Sequence, residues 1–347
     1  MNRITWVDIS KYIFIMAVIL EHIESTTDEL ACFFSPFFVL GFFFVAGYTH
    51  RAGQPVGKFM LKKVRTLLLP WLIFSVLDIA VSQVVSFSEH SSIWDELFWN
   101  FLQIRGQGDQ IWFVAALFMA FIPFYFFIEW YSRKSSTGKR RLLFIIISLV
   151  LFIADHLYSK YTPSNIFPWG TSALPWHLEY LFQGMFYMTL GYMFKETWEV
   201  YFDRANTRLF RIVFFFVYTL IIYLPYLTDV PLSLFSFSAV YITPILGILL
   251  TVSISKTIPA NRYMCYVGQN TLIYFALHGK AFSFIEKILS RFASGFYTSI
   301  LANTLMSNAF AILFTFALSL VLLVPTYIIN RWLPFMVGRK RTKTADP

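Results

Sequence analysis

Charged residues are scarce in this sequence. Asp, Glu, Lys and Arg make up only 14% of the 347 residues, whereas a soluble domain carries about 25%. Hydrophobic residues make up 57% of the chain and include 41 Phe. This composition excludes an ordinary soluble protein and predicts an all-α, polytopic membrane protein. The basic residues lie in short loops between apolar runs, so the net charge of +9 does not indicate nucleic acid as a partner.

Cysteine is also scarce, because only Cys32 and Cys265 are present. The two residues are predicted at opposite faces of a bilayer about 30 Å thick, which excludes a disulfide. The sequence has neither an HExxH nor a CxxC motif, and no metal site is expected. A cleavable signal peptide is not expected either, because Lys11, Glu21 and His22 interrupt the first apolar run.

Apolar runs of spanning length recur about ten times, and they predict one integral-membrane domain over residues 1–335 with a short basic tail over 336–347. The predicted spans are Ile9–Ile23, Phe33–Tyr48, Leu67–Val85, Ile111–Tyr131, Leu142–Leu157, Leu178–Phe194, Ile212–Leu227, Ser238–Ile254, Cys265–Phe284 and Leu305–Ile329.

The loops between these runs alternate in basic content. If the N-terminus is cytoplasmic, 22 of the 28 Lys and Arg residues fall on the cytoplasmic side and five on the other, with Lys11 inside its helix. Because positively charged loops stay in the cytoplasm, this distribution predicts that both termini are cytoplasmic.

Several ionisable residues lie within the first apolar run, RITWVDISKYIFIMAVILEH. Lys11 and His22 are separated by about 20° around a helix and about 16 Å along it, and Asp8 lies on the same face. Glu21 precedes His22. Charged groups at membrane depth are costly, so this face predicts a functional path. The alternative is that Lys11 extends to the headgroups and His22 hydrogen-bonds a neighbouring helix.

His278, in NTLIYFALHG, is predicted at a depth similar to that of His22, because both helices run outward. Two imidazoles that converge there would provide a general base near neutral pH. An interface hydrogen bond is the alternative for His278.

Two further groups are candidate binding residues. In KFMLKKVRTLLLPW, Lys58, Lys62 and Arg65 share a helical face with Lys63 beside them. The run is interpreted as an anchor on anionic lipid, as a clamp for the phosphates of a cytosolic donor, or as both. On the outer side, the candidates for contact with an acceptor are Glu21, Trp112, His177 and Glu179, for which interfacial solvation is the alternative.

Together these segments resemble the acyltransferase-3 family of integral-membrane acyltransferases, and in particular bacterial O-acetyltransferases of surface or capsular polysaccharides. The resemblance rests on Asp8, Lys11 and His22 in the first helix, on GFFFVAGY, on the basic run that leads to LLLPW, and on VGQNTLIYFALH. It covers most of the chain.

The resemblance implies a transfer reaction in the bacterial cytoplasmic membrane. The donor would be acetyl-CoA or another acyl-CoA, the acceptor an extracytoplasmic or lipid-linked carbohydrate hydroxyl, and the catalytic residue His22, acting as a base or as an acyl acceptor. Lys62, Lys63 and Arg65 would help to hold the CoA phosphates. Both a monomer and a homo-oligomer are compatible with the sequence.

A secondary transporter of a small polar solute is the alternative function, because ten helices with both ends inside is also a transporter topology. Transporters of that kind are built from repeats with broken helices at matching positions. The prolines of this chain do not pair in that way, which favours the enzyme.

Overall fold

The computed structural model describes residues 4–85, 92–107, 111–133, 138–227 and 238–339. These residues form α-helices that are joined by turns and by short 3₁₀ and π segments, and no β-strand occurs among them. The predicted all-α fold is confirmed. The helices, numbered in chain order, are α1 (Thr5–Glu21), α2 (Asp28–Phe34), α3 (Phe38–Tyr48), α4 (Val56–Lys63), α5 (Leu69–Val85), α6 (Ile93–Leu102), α7 (Trp112–Ser132), α8 (Gly138–Tyr161), α9 (Leu181–Met193), α10 (Glu199–Ala205), α11 (Arg208–Leu227), α12 (Thr243–Ser255), α13 (Arg262–Gln269), α14 (Thr271–Phe292), α15 (Ser294–Leu301), α16 (Thr304–Val321) and α17 (Leu323–Trp332).

Six helical segments among the described residues are long and apolar enough to cross a membrane, which confirms a polytopic membrane protein. They are Asp28–Tyr48, Val56–Gln83, Trp112–Ser132, Gly138–Tyr161, Arg208–Pro225 and Thr304–Trp332. The count of ten spans and the cytoplasmic location of both termini stay predictions. Arg3 and residues 340–347, which include most of the predicted tail, lie outside the described residues.

The chain divides into two compact units. The described residues of the first unit come from 4–45 and 194–327, and those of the second from 46–193 and 328–339. Each unit therefore combines segments that are distant in sequence, and each is described by itself. The single domain over residues 1–335 stays a prediction.

Helix α1 is the central helix of the first unit. It packs against α12, α13, α14 and α16, and 12 of its 17 residues are buried. A helix that is apolar on every side has no face suited to water, so it is stable only when neighbours surround it. Its few polar residues are therefore held at fixed positions inside the unit.

In the second unit, α9 packs against α7 and α8, and α5 packs against α6. The basic run continues directly into the span, because one helix extends from Val56 to Gln83. A π-helical turn interrupts its α-helical geometry over Val64–Leu68, just before Pro70. Proline removes a helical hydrogen bond and clashes with the carbonyl four residues earlier, and a wider turn accommodates it.

Candidate active site

Asp8 and Lys11 form an ion pair near the start of α1. The Lys11 ammonium lies 3.2 Å from Asp8 Oδ1, and Asp8 is almost fully buried. Gln269 donates a hydrogen bond of 3.2 Å to the other carboxylate oxygen of Asp8. A Cβ at Gly268 would overlap the Asp8 backbone carbonyl, so glycine is required for α13 to approach α1 this closely. A buried carboxylate needs such partners to remain charged.

The structure brings His22 and His278 together at the other end of α1. The two ring centroids are 4.9 Å apart, and the rings are almost perpendicular at 82°. His22 is exposed and caps the C-terminus of α1, whereas His278 is buried on α14. The predicted proximity of the two imidazoles is confirmed, and their catalytic roles stay predictions.

Backbone carbonyls define the tautomers of both rings. His22 Nδ1 lies 2.8 Å from the Val18 carbonyl oxygen, and His278 Nδ1 lies 2.8 Å from that of Phe275. Because a carbonyl oxygen only accepts, each neutral ring donates from Nδ1 and keeps its lone pair on Nε2. His278 Nε2 is buried and has no hydrogen-bond partner among the described residues. Each neutral ring therefore has a hydrogen-bond acceptor at Nε2.

Two carboxylates, those of Glu21 and Glu24, lie close to His22 in the chain. Glu21 is exposed at the last residue of α1. Glu24, two residues beyond His22, accepts a hydrogen bond of 3.1 Å from the Tyr297 hydroxyl. Burial, together with the charge of Glu24 and this hydrogen bond, raises the pKa of Tyr297 well above its ordinary value. Tyr297 therefore keeps its proton and holds Glu24 in place.

The basic run lies in the second unit, on α4 and the π turn that follows it. Lys58 and Lys62 are exposed, and Arg65 is half-buried. Lys63 has a different environment, because its ammonium lies 3.3 Å from the centroid of the Phe121 ring and 5.4 Å from that of Phe59. Such contacts are cation–π interactions. Lys63 is thus directed towards aromatic side chains rather than grouped with the exposed lysines.

A cavity of about 570 Å³ lies beside the start of α4 and the end of α7. Its wall includes an exposed aromatic ring from Trp130 and a guanidinium from Arg133. Glu129 shapes this wall, because its carboxylate accepts a hydrogen bond of 2.6 Å from the Gly53 backbone. The cavity therefore offers both an aromatic surface and a positive charge.

Trp112, His177 and Glu179 also lie together in the second unit. The ring centroids of Trp112 and His177 are 5.2 Å apart, and His177 Nδ1 lies 3.8 Å from Glu179 Oε1. The other carboxylate oxygen of Glu179 accepts a hydrogen bond of 3.0 Å from the Leu174 backbone. His177 and Glu179 are both buried, not solvated at the surface.

This group lies on a strained turn. Trp176 and His177 both have left-handed backbone conformations, with φ of 60° and 53°. Such conformations cost about 1–3 kcal/mol each in residues with a Cβ, and they cluster at functional sites. The cost is offset locally by packing, because Trp176 contacts Trp71 with ring centroids 5.0 Å apart.

Three residues that hold site carboxylates or rings in place were missed by sequence reasoning: Gln269, Tyr297 and Trp176. Gln269 lies inside the VGQNTLIYFALH segment, so a signal for it was present. Tyr297 and Trp176 lie in short segments without a motif, and only the fold reveals their partners. No group of three or more metal-binding side chains occurs in the part of the chain that the structure describes.

Comparison with known proteins gives one match. The family model described as an acyltransferase domain, that of the acyltransferase-3 family, matches residues 4–324, nearly the whole chain. The chain belongs to the acyltransferase-3 family. Neither a search of curated proteins nor a search of solved structures finds a match.

The match confirms the predicted resemblance to the acyltransferase-3 family and supports a membrane acyltransferase rather than a transporter. All of the candidate residues lie within the matched range. The acyltransferase has His22 and His278 in its first unit, and the basic run and the His177 group in its second.

Proposed function

We propose that this protein is an O-acyltransferase that moves an acetyl group from cytoplasmic acetyl-CoA to a hydroxyl of an extracytoplasmic or lipid-linked carbohydrate in a bacterial cytoplasmic membrane. The observation that carries the proposal is the pair of imidazoles at the end of α1, which face each other with centroids 4.9 Å apart. Both rings donate from Nδ1 to helix carbonyls and keep Nε2 as a base.

His22 is the member of the pair that meets the substrates, because its ring is exposed whereas His278 is buried. In one route, Nε2 of His22 removes the acceptor hydroxyl proton while the oxygen attacks the thioester carbonyl. The C–S bond breaks and the proton is passed to the departing thiolate. In the other route, Nε2 itself attacks the thioester carbonyl, the C–S bond breaks and CoA departs as the thiolate. The acceptor oxygen then attacks the acetyl-imidazole, the C–N bond breaks, and the hydroxyl proton neutralises the thiolate.

Lys58, Lys62 and Arg65 are the proposed ligands of the donor phosphates. Ammonium and guanidinium groups suit phosphate oxygens. These three residues lie on the helical segment that starts at Val56, which is part of the wall of the 570 Å³ cavity. Trp130 offers a surface on which the adenine ring of the donor can stack. The same cations remain compatible with a lipid anchor.

The His177 group is the proposed contact for the carbohydrate acceptor. Trp112 offers an aromatic face, and Glu179 and His177 offer hydrogen-bonding groups on a rigid, strained turn. Glu21, exposed beside His22, is a second acceptor contact.

Thiol release from acetyl-CoA by purified protein tests the proposal. The parent should release CoA faster when a carbohydrate acceptor is added, and His22→Gln should not. Labelled acetyl that remains on denatured parent protein in the absence of acceptor would identify the acyl-enzyme route. Solute uptake into proteoliposomes without CoA release would indicate the transporter instead.

A further inference from the structure

A second, smaller cavity of about 200 Å³ lies between α5 and α6 in the second unit. The residues that line it recur every three or four positions along each helix, as residues on one helical face do. Residues 71, 75 and 79 face it from α5, and residues 97, 100 and 101 face it from α6. A hydrogen bond of 3.0 Å from Gln83 to Glu96 joins the two helices beyond one end of the cavity. Two helix faces therefore enclose a preformed space.

Two of the residues that line the cavity each have a buried polar atom without a hydrogen-bond partner among the described residues. These atoms are Nε1 of Trp71 and Oγ of Ser75, whose residues are 4% and 1% exposed. A buried donor without a partner costs about 1–3 kcal/mol, so native proteins rarely keep two in one place unless something binds them. Because the indole N–H only donates, the missing group must be an acceptor.

The rim of the cavity is apolar. Leu72, Val76 and Phe101 line it and are 49%, 46% and 66% exposed. The first two lie in the candidate span Val56–Gln83, where exposed side chains face lipid tails. A molecule that enters from this side is therefore a component of the bilayer.

Among the residues that the structure describes, none of those lining the cavity is charged. A phosphate placed there would be a buried anion without a countercharge, which is strongly unfavourable. A neutral ester carbonyl satisfies the two donors without that cost. The volume is below the range of about 300–1,000 Å³ that is typical of sites for whole small molecules, and it suits one section of a chain.

We propose that this cavity binds one acyl chain of a diacyl glycerolipid, with the ester carbonyl of that chain accepting hydrogen bonds from Trp71 and Ser75. The site is separate from the acyl-transfer chemistry, because its occupant is held by noncovalent contacts and is not consumed. A structural lipid at this position would fix α6 against α5 beside the strained Trp176 turn, since Trp176 contacts both Trp71 and Phe101.

Photolabelling of the full-length, delipidated protein in detergent tests this site. The probe is a diacyl phosphatidylcholine that carries a diazirine near the ester of one chain, and adducts are mapped by peptide mass spectrometry. Adducts should concentrate on the cavity rim rather than on Leu77 and Val81, which are similarly exposed on α5 but do not line the cavity. Equal labelling of both sets would overturn the proposal, because it would show only a lipid annulus.

Two kinds of variant sharpen the test. Leu97→Trp fills the cavity and should abolish rim labelling, whereas Leu77→Trp adds the same bulk outside it and should not. Trp71→Phe combined with Ser75→Ala keeps most of the volume but removes both donors. That variant should weaken labelling by the ester probe about tenfold, the loss expected for two neutral hydrogen bonds, and should not affect a diazirine alkane that has no oxygen.

Competition identifies the source of the ligand. Unlabelled dioleoylphosphatidylcholine should displace the probe, and a polyprenyl phosphate should not. Displacement by the polyprenyl phosphate alone would overturn the assignment to an acyl ester. Unchanged labelling in both the filled and the donor-free variants, which must melt like the parent, would show that the probe binds outside the cavity and would also overturn the proposal.

Discussion

The ammonium of Lys63 lies 3.3 Å from the centroid of the Phe121 ring, whereas the side chain of Lys62, the preceding residue, is exposed. Adjacent residues on a helix point about 100° apart, so Lys63 faces the helix bundle whereas Lys62 lies on the exposed surface. The two residues therefore have different surroundings, although they are neighbours in one basic cluster of the sequence.

We expect Lys62→Met and Lys63→Met to differ in donor affinity. Loss of a charge-assisted contact to phosphate costs about 1.5–3 kcal/mol, so Lys62→Met should raise the acetyl-CoA KM roughly tenfold or more, and Lys58→Ala with Lys62→Ala roughly a hundredfold. Lys63→Met keeps the packed stem and should leave KM close to that of the parent. Steady-state kinetics of purified variants measure this difference. Equal KM values for the two Met variants would show that Lys63 also reaches the donor.

The Asp8–Lys11 ion pair leads to a prediction about stability. Lys11→Met leaves the buried carboxylate of Asp8 without its cation and should destabilise the protein by about 1–3 kcal/mol. Asp8→Asn added to Lys11→Met removes that charge, keeps an acceptor for Gln269, and should restore most of the loss.

The melting temperatures of the parent, the Lys11→Met variant and the double variant in detergent measure these changes in stability. Their turnover is the second measurement. If the pair only supports the fold, the double variant should regain turnover together with stability. Restored melting without restored turnover would place Lys11 or Asp8 in the chemistry. A double variant that is less stable than Lys11→Met would contradict the electrostatic explanation.

Two variants of Glu179 distinguish a role in acceptor binding from a role in holding the turn structure. Glu179→Gln keeps an oxygen that can accept from the Leu174 backbone but loses the charge, so melting should change little while the acceptor KM rises roughly tenfold, or about 1.4 kcal/mol. Glu179→Ala also loses the backbone contact and should lower stability by about 1–3 kcal/mol. An unchanged acceptor KM in Glu179→Gln would leave Glu179 with a purely structural role.

The distribution of basic residues predicts which side of the membrane each loop faces. In a background without the native cysteines, membrane-impermeant thiol reagents should label single cysteines placed at Asp28, Ser92 and Ser294 in intact cells, but not one placed at Gly57. Permeabilised cells provide the control, because Gly57→Cys should then react. Labelling at Gly57 in intact cells would reverse the predicted topology.

The sequence was most informative where periodicity and depth determine position. The similar depth of His22 and His278 was predicted because both helices were expected to run outward, and the structure places the two rings 4.9 Å apart. The all-α fold was predicted from the apolar runs. Lys63 shows the limit of that reasoning. The helical wheel places Lys63 beside the face that Lys58, Lys62 and Arg65 share. Its contact with Phe121 depends on how α7 packs against this segment, and periodicity contains no information about packing between helices.

The burial of His177 and Glu179 was not predictable for a different reason. Their position depends on the left-handed conformations of Trp176 and His177, which local propensity disfavours for both residues. Only tertiary contacts, such as that between Trp176 and Trp71, stabilise such a turn. The resemblance to the family likewise indicated His22 but contained no signal for the α5–α6 cavity.

The last prediction concerns the two imidazoles. General-base catalysis contributes about 10²–10⁴-fold, so His22→Gln should reduce turnover by about that factor while it keeps a side chain that can donate to the Val18 carbonyl. His278→Gln should reduce turnover less, by roughly tenfold, if the buried ring only positions His22.

Because His22 is exposed, added imidazole should restore part of the turnover of His22→Gly but none of that of a variant impaired in donor binding. The measurement requires variants whose melting temperature and acetyl-CoA binding match those of the parent. Turnover by His22→Gln within a few-fold of the parent would remove His22 from the chemistry and leave it as the C-terminal cap of α1.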